Sequence, residues 1–513
     1  MDFLNETLVW LMKKRLPRIQ AFMDKPMDTQ ETMFWQLIQT AKNTEWGKKY
    51  DFRSISSIRD FQQRVPISSY EDLFPFIERT MKGEQNILWP SNIQYFAKSS
   101  GTTNARSKFI PVSKECLDDC HFMGGKDMMT LLVENKPDTE VFSGKGLSIG
   151  GSLSSNQLNS RSVMGDVSAV VMKNLPIWAQ IIRTPSLDVA LMDVWEEKIQ
   201  KMAEVTSQEN VTSILGVPTW TLVLIDKILE ITGKDNILEV WPNFEFFIHG
   251  AVAFHPYRDM FRNKVFPSES VNYLEIYNAS EGFFGVQDDI SRKDEMMLML
   301  DYGIFYEFIP MEEIEKEYPK AVSLDEVEIG KNYAVIISTN AGLWRYKIGD
   351  TIRFTTKYPY RFKISGRTKQ FINAFGEEII VENSNIAITK ACEATGAIIN
   401  DYTAGPVYMD GGKSGCHEWI IEFDQEPNNQ KVFNQVLDQT LRSINSDYDA
   451  KRYKDMVLTP PKINVVQKDT FYSWMRSKGK LGGQHKVPRL CNSREYLDSV
   501  LAVVHQNNTA NVN

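Results

Sequence analysis

FEFFIHGA (residues 244–251) and VNYLEIY (residues 271–277) are short β-rich runs, and two more, GLSIGG from Gly146 and VTSILG from Val211, precede them. Between these runs lie stretches with helical spacing, such as Val189 to Thr206 and Thr219 to Ile231. Strands alternating with helices predict an α/β sheet covered by helices. From Met296 the texture changes to MLMLDYGIFYEFIP, NYAVIISTNAGLWRYKIGDTIRFT and YRFKISGR, which predict an antiparallel or β-barrel-like part. Beyond Arg367 a smaller α+β unit is expected. It has strands around AIINDYTAGPVYMDGG, CHEWIIEF and KINVVQ, a helix near Asn429 to Asn445 and a terminal helix from Ser493.

Upstream of the first strands the chain reads as helical. Residues 28–43 place Met33, Phe34, Leu37, Ile38 and Ala41 on one face, with polar residues suited to capping at the start. The first 20 residues, MDFLNETLVWLMKKRLPRIQ, carry Asp2 and Glu6 ahead of the basic cluster and lack a continuous apolar core, so they read as an amphipathic helix ended by Pro17 and not as a signal peptide. At 513 residues two or more domains are expected. No repeat, low-complexity tract or long linker is apparent, so the division is expected at a tight hinge, Arg367 to Lys369, between a large domain of residues 1–367 and a small one of residues 368–513.

Composition narrows the function. Lys plus Arg total 58 against 66 Asp plus Glu, a net charge of -8, which is the wrong sign for a chain that lives on nucleic acid or anionic lipid. The five cysteines are scattered and the histidines number six, which argues against a zinc site and a disulfide framework and suits a reducing compartment. No run of about 18 apolar residues predicts a membrane span. A cytoplasmic enzyme is the simplest expectation.

Four stretches carry candidate chemistry. KSSGTTNARSKFIPV, Lys98 to Val112, places Ser99, Ser100, Gly101, Thr102 and Thr103 after a strand-like YFA, a composition that can wrap backbone N–H groups and hydroxyls around phosphate, with Lys108 adding charge. Composition alone leaves a solvated Ser/Thr turn open, and GxxxxGK[ST] is absent. YNASEGFFG, Tyr277 to Gly285, follows a strand and sets Glu281 at its end, where a carboxylate can ligate a hard cation that bridges to phosphates. A plain polar turn is the alternative. In TNAGLWRYKIGDTIRF, Thr339 to Phe354, the GD turn is expected to put Asp350 at the end of a strand, where it could accept hydrogen bonds from a ribose diol, and Arg367 stands in a Gly-Arg turn with Lys369 and Gly376 behind it. Hairpin turns would look the same. GKLGGQHKVPRL, Gly479 to Leu490, is Gly-rich and basic and reads either as a loop able to carry a lysine into a site or as an ordinary surface loop.

Taken in order, these segments resemble the adenylate-forming, firefly luciferase-like superfamily of acyl-CoA synthetases, luciferases and peptide-synthetase adenylation domains. SSGTT with Lys108, HGAVAF, YNASEGFFG, WRYKIGD and GGQHKVPRL are most similar to the auxin-responsive acyl-acid amido synthetase family, and a bacterial member is expected. The resemblance covers essentially the whole chain. It implies a large adenylate-forming domain and a small mobile C-terminal lid, with ATP and Mg2+ as cofactors. By that resemblance Ser99, Ser100, Thr102 and Thr103 handle the ATP phosphates with Lys108, and Tyr277 lies on the adenine with Gly250 and Ala251 at its edge. Glu281 holds magnesium with Ser280 beside it in the nucleotide site, Asp350 binds ribose, Arg367 is the superfamily's turn arginine, and Lys486 neutralises charge during adenylate formation. Lys480 lies in a context that resembles the acyl-CoA synthetase version of the loop, and Lys486 is favoured over it. Asn104-Ala105-Arg106 departs from the family's glycine-rich pattern.

The implied reaction activates a carboxylic acid as acyl-AMP and transfers the acyl group to an amine, an amino acid being expected. His121, Trp220, Phe254 and Phe283 are candidate linings of the acyl pocket, although a core would also use them. An acyl-CoA ligase sharing the first half-reaction, and a nucleotide-binding regulator without turnover, are the alternatives. The acid, the acceptor and the oligomeric state are not written in the sequence.

Overall fold

The structure is a computed structural model that describes residues 3–99, 108–252, 254, 257–314, 316–368, 370–410, 413–478 and 487–510. The chain divides into two compact units, one of residues 1–99, 108–251 and 261–368, the other chiefly of residues 369–513 with 252–260. Both mix helices with sheet, so the α/β class with a larger and a smaller part is the observed architecture.

The larger unit opens with helices Phe3–Lys13, Leu16–Asp24 and Pro26–Ala41. Met33, Phe34, Leu37, Ile38 and Ala41 are buried on the third, as their spacing predicts. The expected role of Pro17 is corrected. The first helix stops at Lys13, and Pro17 stands in the first turn of the next one, where a missing N–H costs nothing because first-turn amides have no intrahelical acceptor.

Among the described residues the main sheet has eleven strands. Lys145–Ser148, Arg183–Thr184, Val211–Leu215, Phe246–His249 and Asn272–Ala279 pair in parallel. The four runs read from the sequence are all here, and the helix predicted over 219–231 spans Pro218–Thr232, stopped by Gly233 at φ 64° in the left-handed region. The expected helix over 189–206 is interrupted and forms Leu187–Ala190 and Trp195–Thr206. Asn272–Ala279 then turns back antiparallel into Gly282–Val286, which continues antiparallel through Met296–Leu298, Tyr360–Arg367, Tyr346–Lys357, Asn332–Thr339 and Ile304–Pro310. Antiparallel and parallel strands thus belong to one sheet, which changes character at Asn272–Ala279. A second sheet pairs Tyr95–Ser99 with Lys108–Val112 and Val163–Gly165, and the last of these with Leu153–Ser155.

The smaller unit holds Ile398–Val407 antiparallel to Cys416–Gln425, with Lys462–Val466 parallel on the far edge. Helices Val381–Thr395 and Gln430–Ile444 pack on one another, and Trp419, Ile421, Phe433, Leu437 and Leu441 are buried.

One buried ion pair ties the antiparallel strands of the larger unit to its helical start. Arg345 donates from Nε and Nη2 to Glu307 at 2.9 and 2.8 Å, and from Nη1 to the carbonyls of Gln62 and Val65 at 2.7 Å each. Removing one partner of such a pair strands the other without solvation. Arg345→Met is expected to lower the stability of the larger unit by about 3–5 kcal/mol, read from its unfolding transition in urea against the unaltered chain.

Candidate active site

The hairpin of Asn272–Ala279 and Gly282–Val286 carries YNASEGFFG, with Ser280 and Glu281 at its tip. Both tip residues are buried, Glu281 at 7% exposure. Phe283 pairs across the hairpin with Asn278. Glycine is required at Gly250 by close approach, since a Cβ there would lie 2.5 Å from the carbonyl oxygen of Ile276 on the neighbouring strand. Ala251, the next residue, has φ 68°, a conformation that an L side chain adopts at a cost of order 1–3 kcal/mol.

Two hydrogen-bonded chains converge on this hairpin. In the first, the hydroxyl of Tyr277 donates to Asp350 Oδ2, and Arg367 Nε donates to Asp350 Oδ1 at 2.7 Å. Asp350 lies inside the strand Tyr346–Lys357 and not at a strand end as expected, because the chain runs on in extended form past Gly349, and pairing with Tyr360–Arg367 sets it directly opposite Arg367. Burial, and then the charge of Asp350, push the Tyr277 phenol well above its ordinary value, so it stays a donor. Among the described residues each carboxylate oxygen of Asp350 has one partner, and a carboxylate oxygen has a second lone-pair site that a substrate hydroxyl can use. The ring of Tyr277 packs on Phe284, centroid to centroid 4.9 Å.

In the second chain Lys108, itself buried, donates from Nζ to the hydroxyl of Tyr346 at 3.3 Å, and that hydroxyl donates to Glu281 Oε1 at 3.4 Å. Lys108 begins a strand directly opposite Ser99. Ser100, Thr102, Thr103, Lys369, Lys480 and Lys486 lie outside the described residues.

Of the four candidate pocket residues, His121 and Phe283 meet the same strand pair. His121 Nδ1 lies 3.2 Å from Asn278 Oδ1, and the Phe283 N–H donates to Cys120 Sγ at 3.1 Å. A Cβ on Gly124 would strike the Phe283 ring at 2.4 Å, so that glycine makes room for it. Trp220 stacks instead on Trp195, centroids 4.1 Å apart, and Phe254 groups with the smaller unit. Tyr346 was not among the residues singled out from the sequence. Period-two alternation back from Asp350 reaches Ile348 and Tyr346 on the same strand face, and that was the available signal.

Three family descriptions match the chain in order. The GH3 family N-terminal domain matches residues 15–271, the central domain residues 297–367 and the C-terminal domain residues 382–495. Among curated relatives, the indole-3-acetic acid-amido synthetase GH3.3 of Arabidopsis thaliana is 23% identical, covering 93% of this chain and 92% of that protein. The 4-substituted benzoates-glutamate ligase GH3.12 of the same plant is also 23% identical, covering 96% of each. Among solved structures, AtGH3.15 acyl acid amido synthetase in complex with 2,4-DB superimposes with a TM-score of 0.60 at 18% identity, covering 98% of this chain and 96% of that one. A 2-hydroxyisobutyryl-CoA ligase in complex with 2-HIB-AMP and CoA reaches 0.56 at 11% identity, covering 93% and 92%. Both likenesses are of fold.

The buried imidazole makes a test of the site's electrostatics. Burial lowers the His121 pKa from 6.5 to about 4, against the smaller opposing effect of the Asn278 hydrogen bond. The folded value lies below the unfolded one, so the unfolded chain takes up the proton first as pH falls. The stability tied to neutral His121 is complete above 6.5 and drains away as pH falls to about 4, a loss of roughly 3 kcal/mol at about 1.4 kcal/mol per pH unit. In His121→Gln the slope of the unfolding midpoint against pH is expected to flatten in that window, as measured by thermal melts.

With all three of its domain descriptions matched along the sequence, and two full-length relatives alongside, the chain belongs to the GH3 family.

Proposed function

We propose that this chain uses ATP to activate a carboxylic acid as its acyl-AMP and then transfers the acyl group to an amine, an amino acid by preference. The observation that carries this reading is the pair of chains Tyr277–Asp350–Arg367 and Lys108–Tyr346–Glu281, which meet at one hairpin of the larger unit. The first suits a ribose. The second offers a cation and a hard-oxygen carboxylate, the two groups a polyphosphate needs.

A free carboxylate resists an amine because oxide would have to leave. When a carboxylate oxygen attacks the α-phosphorus of ATP, the bond to the pyrophosphate oxygen breaks and the acyl carbon acquires AMP as its leaving group. The amine nitrogen then bonds to that carbon, the bond to the AMP oxygen breaks, and the nitrogen loses its proton. Lys108 holds positive charge toward the phosphates, Ser99 with Ser100, Thr102 and Thr103 surrounds them, and Asp350 and Arg367 orient the ribose. Tyr277 presents its ring to the adenine, with Gly250, Ala251 and Ser280 around it, and Lys486 adds charge as the adenylate forms. Such fixed charges act where charge develops and need no reorganisation.

Glu281 fits magnesium carried in on the nucleotide. It is a single buried hard-oxygen donor, and magnesium characteristically takes one or two carboxylates together with substrate phosphates. Among the described residues no group of three or more His, Cys, Asp and Glu forms a protein cage of its own. When bound, the ion supplies Lewis-acid neutralisation of phosphate charge.

The acid is taken to be an aryl acid, with His121 and Phe283 at its pocket, since relatives are named for indole-3-acetic acid and 4-substituted benzoates. Trp220 stands as a further lining. We assign residues 1–367 to ATP and acyl binding and residues 368–513 to the lid. A cytoplasmic setting agrees with the five free thiols. No helix among the described residues is long and apolar enough to cross a membrane.

The test is pyrophosphate release with ATP and magnesium across a panel of aryl and fatty acids, followed by addition of amino acids or CoA to each hit. An acid that triggers release, with an amide formed on adding an amino acid, is the expected result. Consumption of CoA alone would make the chain an acyl-CoA ligase, and silence across the panel with ATP still bound would make it a nucleotide-binding regulator. Lys486→Ala is expected to lower the acid-dependent release by about 10²–10³-fold, as removal of one charge-stabilising group does.

A further inference from the structure

Tyr346 is fully buried and opens the Tyr346–Lys357 strand. Its position is set by the fold around it. Arg345, the residue before it, is locked to Glu307 and to the carbonyls of Gln62 and Val65. Ser68 accepts the N–H of Lys347 and donates its own N–H to the carbonyl of Arg345, both at 2.9 Å, so a backbone bridge clamps Tyr346 from each side.

The same bridge places Tyr70, two residues beyond Ser68. Its hydroxyl accepts the N–H of Phe109 at 2.8 Å, which fixes the ring. The ammonium of Lys108 lies 5.8 Å from the Tyr70 ring centroid and 5.9 Å from that of Tyr346, within reach of cation–π attraction to both. Among the described residues its hydrogen bond to the Tyr346 hydroxyl uses one of its three donors and leaves two for an anion.

We propose that Tyr346 is a positioning residue of adenylation, whose hydroxyl holds Lys108 and Glu281 in fixed relation, so that polyphosphate meets the cation and its magnesium meets the carboxylate. This rests on the reading of the preceding section. A hydroxyl can accept from the ammonium and donate to the carboxylate at once, which neither Phe nor a second carboxylate can do. Both bonds are long, 3.3 and 3.4 Å, and can be exchanged for contacts to substrate without a large penalty. A lysine and a glutamate in low dielectric with nothing between them attract strongly, and their collapse into a direct pair would withdraw both from the substrate.

The test is calorimetry of the full chain with ATP, once with magnesium and once with a chelator, for the unaltered protein and for Tyr346→Phe. The gain in ATP affinity that magnesium brings is expected to fall about 10–100-fold, the range seen when a group supporting a metal ligand is removed. The kcat of pyrophosphate release should fall with it while KM for the acid holds. In a Lys108→Ala background the loss of the hydroxyl should cost little, since coupled residues are not additive. An unchanged magnesium effect in Tyr346→Phe, or full additivity with Lys108→Ala, overturns the proposal. Should Tyr346→Phe fail to fold, Lys108→Gln takes its place, and an unaltered magnesium effect there overturns the proposal equally. If the unaltered chain binds magnesium-ATP yet responds to no acid, the proposed function fails while calorimetry still decides the role of Tyr346. If it binds none, both fail.

Discussion

Lys108 and Glu281 are charged side chains withdrawn from water, and the phenol of Tyr346 stands between them. Taking an ion out of water costs several kcal/mol even after the protein relaxes, and the cost is recovered only where hydrogen bonds meet the charge. The phenol must therefore sit where both can reach it. Much of the larger unit serves that placement. The Arg345–Glu307 pair, itself buried, fixes the strand entry, and its extra bonds to Gln62 and Val65 tie the entry to the helical start of the chain. Ser68 then joins the two parts through the backbone, and Tyr70 follows two residues on.

The topology explains why this constellation gathers at one hairpin. Asn272–Ala279 has a parallel neighbour, Phe246–His249, on one side and an antiparallel neighbour, Gly282–Val286, on the other. In α/β sheets ligands gather at the carboxyl ends of parallel strands, where backbone and loop groups converge. The carboxyl end of Phe246–His249 delivers Gly250 and Ala251, and that of Asn272–Ala279 delivers Ser280 and Glu281. The antiparallel strands bring Asp350 and Arg367 to the same hairpin, because the hydroxyl of Tyr277 reaches Asp350. One sheet thus supplies two kinds of contact.

Much of this was legible along the chain where local rules dominate. Four of the five parallel strands, the helix over 219–231 and the apolar face of residues 28–43 follow from periodicity, since a buried face must repeat with the period of its element. Pro17 was misread because proline breaks a helix interior but suits a helix start, and the choice depends on where the preceding helix stops. The interruption near Leu191 to Val194 was likewise hidden, because the spacing on either side remains helical. Glu281, Asp350 and Arg367, candidates that the structure brings to one hairpin, stand out in the sequence through small-residue and Gly-containing stretches. Tyr346 was passed over, since an aromatic residue within a strand looks like core until its hydroxyl has partners.

The sequence by itself determined the element types, which depend on neighbours a few residues apart, and the family, which follows from motifs in matching order along essentially the whole chain. Only the tertiary structure decided that Tyr346 meets Lys108 across 238 positions and Glu281 across 65, that Arg345 is neutralised by Glu307, and that Trp220 stacks on Trp195 while His121 and Phe283 share one strand pair. The physical reason is that alternation assigns a side chain to a face of its strand. Which distant group that face meets is set by strand order and register, and these are selected by the packing of the whole sheet.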